Sequence, residues 1–272
     1  MVFEKPFLST GKGEGTMSEN PRLVYVTVVR DFGFYDRFFI NNPHVNGHTL
    51  CPIDNRADNL FITTRYNRFL ETYDYDNDAW FVFCHEDFEM KEDIAPILAH
   101  LDPGMIYGPI GCRLKVVKKT LFGERVKSLY LGQVICSNKD GSDPFVEGQA
   151  IEAPERVDTV DCMCLIVHSS LVHATGLRFD EKLSYDLYAE DFSIHALREF
   201  GALTAAVQLK CQHWSKGNFC ERFYRQLIYL NRKYKDASYA GTCAVIGKQP
   251  MPFKSWRRMT LNRLKLFFKK KK

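Results

Sequence analysis

The stretch "AWFVFCHEDFEM", Ala79 to Met90, runs apolar for six residues and then breaks into His85, Glu86 and Asp87. A continuous run such as Trp80-Phe81-Val82-Phe83 has no polar face to turn to water. It therefore reads as a central strand of a parallel sheet, covered on both sides. A turn after such a strand needs only Asp, Asn or Gly. An imidazole and two carboxylates in that place are costly to desolvate unless they are paired, solvated or given an ion.

Outward from this run, "RLVYVTVVR" (22–30) predicts a first strand, and "HTLCPIDN" (48–55) a second that ends in Asp54. Ile62, Tyr66, Phe69, Leu70 and Tyr73 recur at helical spacing, which predicts a helix through about Tyr73 with Asp58 as its cap. "DIAPILAHL" predicts a short helix, and "GMIYGPIG" and "VDCMCLIVH" predict buried strands. A helix spans about Ala189 to Phe200 and is stopped by Gly201. "ALTAAVQL" is one more strand, leading to His213, and Phe219, Phe223, Leu227 and Leu230 mark an amphipathic helix. Strands alternating with helices predict an α/β fold: a single domain whose mostly parallel central sheet carries helices on both faces. Residues 1–20 read as a flexible leader and 21–235 as the domain. Within it, 111–158 form an irregular excursion with a hairpin around "SLYLGQVICS". Residues 236–272 form a C-terminal extension.

The 272 residues include nine cysteines without a repeated spacing, and Cys162 and Cys164 do not form a CxxC pair. This predicts a reducing compartment and no disulfide framework. The leader lacks the apolar core of a signal peptide. The longest uncharged run, Cys162 to Leu177, is too short and too polar to span a bilayer. Of the 37 Lys and Arg, nine fall in 253–272 with no acid beside them, so the other 28 face 33 acidic residues, a net of −5. An acidic body thus bears a basic tail. On a helical wheel the tail places Phe253, Trp256, Thr260, Leu264 and Phe267 on one side and Lys254, Arg258 and Lys265 on the other. Such a helix can lie on an anionic membrane surface, although a helix packed on the domain or a solvated tail has the same composition. The acidic body argues against nucleic acid as a partner.

In open α/β sheets ligands bind beyond the carboxyl ends of the strands, and Asp54, the His85-Glu86-Asp87 triplet and His213 all fall there. The triplet reads either as a site for Mg2+ or Mn2+ holding a diphosphate or as a polar turn capping the next helix. Glu190 and Asp191 open a helix whose positive end favours carboxylates, which again is either a site or first-turn capping. His213 reads as a ligand or as a structural histidine.

Taken in order, these pieces resemble the family-2-like glycosyltransferases of the GT-A fold. The resemblance is carried by "VYVTVVR", "PIDN", "FCHEDFEM", "GLRFDE", "YAEDFSIHALREFG" and "QHWS", over about residues 22–216. It is nearest a subgroup with His-x-Asp in place of Asp-x-Asp, in which "VDCMCLIV" matches a "VDG" segment. The resemblance implies that Asp54 contacts the nucleotide base, with Arg30 and Asn67 in the same site. It makes Asp87 the main carboxylate for Mg2+ or Mn2+, with Glu86 or His85 beside it and His213 on the metal or diphosphate. Asp191 or Glu190 becomes the catalytic base, and Asp161, Asp180 and Glu181 meet the sugar or acceptor. Two departures stand out. His85 replaces the usual first Asp, which weakens or removes the metal, and Cys162 replaces a small Gly, which narrows the sugar pocket.

The implied activity is transfer from a nucleotide-diphosphate sugar to a glycan or lipid-linked acceptor, with inversion, in surface polysaccharide biosynthesis. The implied place is the cytoplasm, peripherally on the inner face of the membrane through 253–272. A non-catalytic GT-A-like protein that binds a nucleotide sugar or glycan is the alternative, and His85 keeps it open.

Overall fold

The computed structural model describes residues 20–121, 123–217 and 219–248, with 260, 261, 264, 267 and 268 near the C-terminus. The expected leader over 1–19 and most of the expected basic helix over 253–272 lie outside the described residues.

The chain begins with β1 (Leu23–Val29), α1 (Phe32–Tyr35) and a π-helical turn (Asp36–Ile40). Then come β2 (Thr49–Asp54), α2 (Ile62–Thr72), β3 (Trp80–Cys84), β4 (Phe88–Met90), α3 (Ala95–Leu98) and β5 (Ile106–Gly108). A strand-rich stretch follows: β6 (Ile110–Thr120), β7 (Gly123–Cys136), β8 (Phe145–Gln149), β9 (Glu155–Val157), β10 (Thr159–Val160) and β11 (Cys164–His168). The rest is α4 (Ser169–Thr175), α5 (Tyr188–Phe200), β12 (Thr204–Ala206), β13 (Cys211–His213), α6 (Glu221–Lys233) and a hairpin of β14 (Ser238–Ala240) and β15 (Val245–Gly247).

The main sheet has the order β2-β1-β3-β11-β5-β12-β9. Strands β2, β1, β3, β5 and β12 run one way, and β11 and β9 run against them. The mostly parallel sheet read from the sequence is therefore present, as a mixed sheet.

Every residue of β1 and β3 is buried, because helices and a second sheet cover both faces. Successive side chains point to opposite faces, and the two cores follow that alternation. Phe81 and Phe83 join Tyr66 and Leu70 of α2, Phe192 of α5 and Leu227 of α6 in one core. Trp80, Val82 and Cys84 join Tyr35, Phe38 and Ile94 in the other. Fully burying side chains of this size is worth roughly 1.5–3 kcal/mol each. The strand that anchors the site is therefore among the most firmly held parts of the fold.

The helix expected to be capped by Asp58 starts later. Its N-cap is Phe61, which makes no side-chain cap bond, and Asp58 instead pairs with Arg65 Nη2 at 2.8 Å. The Ile62 amide donates to the Ser184 carbonyl at 3.0 Å, so the helix start is tied to the loop before α5.

Residues 111–158, read as an irregular excursion, instead carry most of a second sheet with the order β10-β6-β7-β13-β4, and β8 pairs with β7. Polar, glycine-rich composition hid these strands, because one face of much of this sheet is solvated and so lacks a continuous apolar run. The expected domain end at 235 falls before the β14–β15 hairpin. That hairpin packs on the domain: Thr159 Oγ1 donates to Ala240 O at 2.7 Å and Tyr130 Oη to Thr242 O at 2.6 Å.

Candidate active site

The two sheets explain why ionisable residues follow β3. Its neighbour β11 begins at Cys164, opposite Cys84, so the ladder ends there and His85 N makes a last bond to Met163 O at 3.1 Å. The chain then crosses to the second sheet, where β4 pairs antiparallel with β13 and His213 stands opposite Phe88. The Trp214 amide donates to Asp87 O at 2.8 Å, locking the two strand ends together. Residues 126 positions apart in sequence (87 and 213) are thereby made neighbours by backbone pairing.

His85, Asp87 and His213 each offer a ligand atom, and these atoms lie within 4.8 Å of one another. Asp87 Oδ1 is 3.3 Å from His213 Nε2, and among the described residues neither atom completes a hydrogen bond. Two buried polar atoms left facing each other carry a cost that a shared cation would remove. With metal–ligand bonds of about 2.1 Å, adjacent ligands on one small cation stand roughly 3.0–3.4 Å apart. The donor set therefore fits a divalent cation.

The third ligand is oriented by its surroundings. Tyr188 Oη donates its single proton to Cys162 O at 2.6 Å, so at 3.1 Å from His85 Nε2 it can only accept. Nε2 then carries the ring proton, and Nδ1 keeps its lone pair for a ligand, as second-shell partners commonly arrange. Burial pushes the His85 imidazole down to about 4, which keeps it neutral. Burial raises the Asp87 carboxyl, but the His213 and His85 rings outweigh it and hold the group at about 2.

Glu86 does not join this cluster. Its Oε2 accepts the amides of Arg30 at 2.6 Å and Asp31 at 2.9 Å, so it caps the turn after β1.

The three ligands open into a cavity of about 430 Å³, whose wall also holds Glu190, Asp161, Cys162, Glu147 and Thr242. Leu187, at φ 60°, sits in the left-handed region just before α5. A non-glycine residue there is strained, and it sets the direction in which the first turn of α5 projects. Within that turn the two carboxylates diverge. Glu190 lines the cavity, and the Cys162 thiol donates to its Oε2 at 3.1 Å. Burial and then the charge of Asp161 push Glu190 up to about 8, against the opposing pull of the thiol. Asp191 is turned away from this cavity and held by Lys233 Nζ at 2.8 Å and Tyr234 Oη at 2.7 Å. Asp161 accepts from Met163 N at 3.0 Å and from the Thr242 hydroxyl, at the tip of the last hairpin.

A smaller cavity of about 210 Å³ adjoins the first and shares His85, Tyr185 and Arg222 with it. Arg30 lines it, with Asn55 and Ile62. Asp54 does not: it is exposed, and the Arg56 side chain and amide donate to both its carboxylate oxygens, which holds its carboxyl at about 2. Asn67 is buried, bonding Phe179 O and N at 2.9 Å each, and acts as a strut between α2 and the loop before α5. Asp180 pairs with Lys233 and Tyr229, and Glu181 with Thr64 and Asn67, so both brace that same loop outside the cavity. The sequence reading missed Tyr188, Glu147 and Thr242. Tyr188 and Glu147 look like ordinary helix and strand residues, and Thr242 lies beyond the expected domain end.

No protein-family model and no curated protein matches the chain. The solved structures to which the chain is similar include two. One is GalNAc-T7 with UDP, GalNAc and Mn2+, at 9% identity and a TM-score of 0.46, over 80% of this chain and 49% of that one. The other is S. aureus TarS 1-349, at 10% identity and a TM-score of 0.44, over 79% of this chain and 66% of that one. The likeness is one of fold. It assigns no residue and no activity, and this chain spans about half of the first structure and just under two thirds of the second.

Proposed function

We propose that the chain is a metal-dependent glycosyltransferase that moves a sugar from a nucleotide-diphosphate donor to a hydroxyl of a glycan or lipid-linked acceptor. The observation that carries this reading is the facing pair Asp87 Oδ1 and His213 Nε2, 3.3 Å apart with neither completing a hydrogen bond among the described residues, beside His85 and on the wall that also holds Glu190. The smaller cavity suits the nucleoside and the larger one the sugar, with the diphosphate at the junction marked by His85 and Arg222. Two imidazoles and one carboxylate suit Mn2+ better than Mg2+, which prefers oxygen ligands. A bound cation would stabilise the charge of the departing diphosphate as a Lewis acid.

Glu190 replaces Asp191 as our choice of base. A base must reach the proton it removes, and Asp191 is turned away toward Lys233. Glu190 takes the proton of the acceptor hydroxyl as that oxygen attacks the anomeric carbon. Attack from the face opposite the diphosphate inverts the centre. Asp161, which accepts from Thr242 and Met163, orients the sugar in this reading. The described residues contain no helix long and apolar enough to cross a membrane. On the sequence pattern, the basic segment 253–272 attaches the protein to an anionic membrane surface, where the transfer serves surface polysaccharide assembly.

The test is calorimetric binding of a panel of nucleotide sugars with Mn2+, with Mg2+ and with chelator, followed by product assays with glycan and lipid-linked acceptors. We expect donor binding to need Mn2+ and to be lost in Asp87→Asn and His213→Gln with the thermal midpoint retained. Metal-dependent binding with no transfer to any acceptor would instead favour a binding protein. Absence of Mn2+ binding would remove the reading.

A further inference from the structure

The β6–β7 hairpin carries a feature that the active site does not use. Between residues 113 and 129 the sequence holds six Lys or Arg and one acid, in a chain whose body is otherwise acidic. Lys115 pairs directly with Lys127, and Lys118 with Arg125, across the two strands. Like charges directly opposite one another destabilise a sheet.

The register makes this worse. A bulge between Val116 and Lys118 adds one residue to β6. Without it, Lys118 would point away from Lys115, since side chains alternate along a strand. With it, Arg113, Lys115, Lys118, Arg125 and Lys127 all share one face. Arg113 reaches Glu155 at 3.3 Å, while the other four have no acidic partner within 4 Å among the described residues. On the opposite face stand Val116 against Val126 and Lys119 against Glu124.

Exposed apolar side chains accompany these charges. Leu121, at the hairpin turn, is 102% exposed, and Val117, the bulged residue, is 49% exposed. A polyanion such as nucleic acid or polyphosphate would satisfy the cations and gain nothing from the leucine. The headgroup layer of a bilayer satisfies both, drawing Lys and Arg to its phosphates and admitting a short apolar tip beneath them. We infer that this face of the β6–β7 hairpin docks the protein on an anionic phospholipid surface, with Leu121 entering the interface. The inference is independent of the reading of the active site, and it concerns different residues from the C-terminal basic segment.

The experiment is co-sedimentation of the full chain with vesicles of phosphatidylcholine alone, or with about one third phosphatidylserine. The variants are the quadruple K115Q/K118Q/R125Q/K127Q, the pair K118Q/R125Q, and L121S, each checked by its thermal midpoint. Each basic residue near an anionic surface contributes roughly a fivefold gain in partitioning. The quadruple variant should therefore lose tenfold or more, and the pair a smaller share, with the C-terminal segment present throughout. L121S should lose the binding that persists at high salt. If the quadruple variant folds poorly, the pair carries the same test. Unchanged partitioning of the charge variants would overturn the inference, because the C-terminal segment would then account for all binding. Equal binding to polyphosphate or a single-stranded DNA oligomer, unaffected by L121S, would overturn it in favour of a polyanion.

Discussion

The Cys162 thiol donates to Glu190 Oε2 at 3.1 Å, and the Ala189 amide in turn donates to the same sulfur at 3.5 Å. The chain thus places a weak donor against the carboxylate where the resemblance expected a glycine. A donor bond to a carboxylate favours its charged form. If Glu190 is the base, activity should rise with pH as it deprotonates, near 8. Cys162→Ala removes the bond and should move that rise to higher pH. Cys162→Ser, a stronger donor, should move it lower. The logarithm of kcat/KM measured between pH 6 and 10 for the three proteins checks this. A rise at one pH in all three would detach Cys162 from the base.

The same carboxylate should cost stability. A buried acid whose pKa is raised in the folded state binds a proton there that the unfolded chain releases. Its stabilising contribution is complete below the unfolded value, near 4.3, and is lost as pH climbs toward 8. Glu190→Gln removes the titration. The variant should match the parent near pH 4 and exceed it at pH 8 and above by several kcal/mol at most, on the order of 4. Urea denaturation at both pH values measures it. The variant should also lose turnover by about 10²-fold or more, the usual scale of general-base catalysis. A more stable but inactive protein is the expected signature of a group held for function.

Asp191→Asn should behave in the opposite way. It leaves Lys233 without its closest buried partner and weakens the contact of α5 with α6. Breaking a buried pair costs about 3–5 kcal/mol. Lys233 is 26% exposed and keeps Asp180, so the loss should be nearer 1–3 kcal/mol. Turnover per folded molecule should persist. Comparison of denaturation midpoints and active-site-normalised rates for Asp191→Asn and Glu190→Gln separates brace from base. Loss of turnover in well-folded Asp191→Asn alone would make Asp191 the base.

These outcomes mark what the sequence made legible. Continuous apolar runs revealed β1, β3 and β11, because runs of 7, 5 and 5 residues are too short for a buried helix, although such runs carry no period of their own. His85, Glu86, Asp87 and His213 were read together at strand ends; His85, Asp87 and His213 offer ligand atoms within 4.8 Å of one another, and Glu86 bonds the turn after β1 instead. The roles within adjacent pairs were not legible. Glu190 and Asp191 differ by about 100° around a helix, and which one faces the cavity depends on the unusual backbone of Leu187. Glu86 and Asp87 diverge because β4 begins immediately after them. The hairpin that supplies Thr242 carries no chemical motif, so nothing in its composition tied it to a site.

Gly241 offers the last test, because its missing side chain borders the proposed base. A Cβ there would lie 2.9 Å from the Ala244 carbonyl oxygen and 3.3 Å from Glu190 Cγ. The first distance is too short for any real contact, and a backbone oxygen within the hairpin yields only if the hairpin shifts. The second is tight enough to press on the carboxylate. Gly241→Ala should therefore displace both the Thr242 contact to Asp161 and the Glu190 side chain. Mispositioning of catalytic groups by about an ångström can cost 10²-fold in rate. Mn2+ affinity should remain, because His85 and Asp87 lie in the turn between β3 and β4 and His213 ends β13, so none of the three belongs to the hairpin. Manganese titration followed by single-turnover kinetics distinguishes the two effects. A normal rate in Gly241→Ala would show that neither Glu190 nor Asp161 depends on the hairpin for its position. Loss of Mn2+ binding as well would show that the hairpin supports the whole cavity.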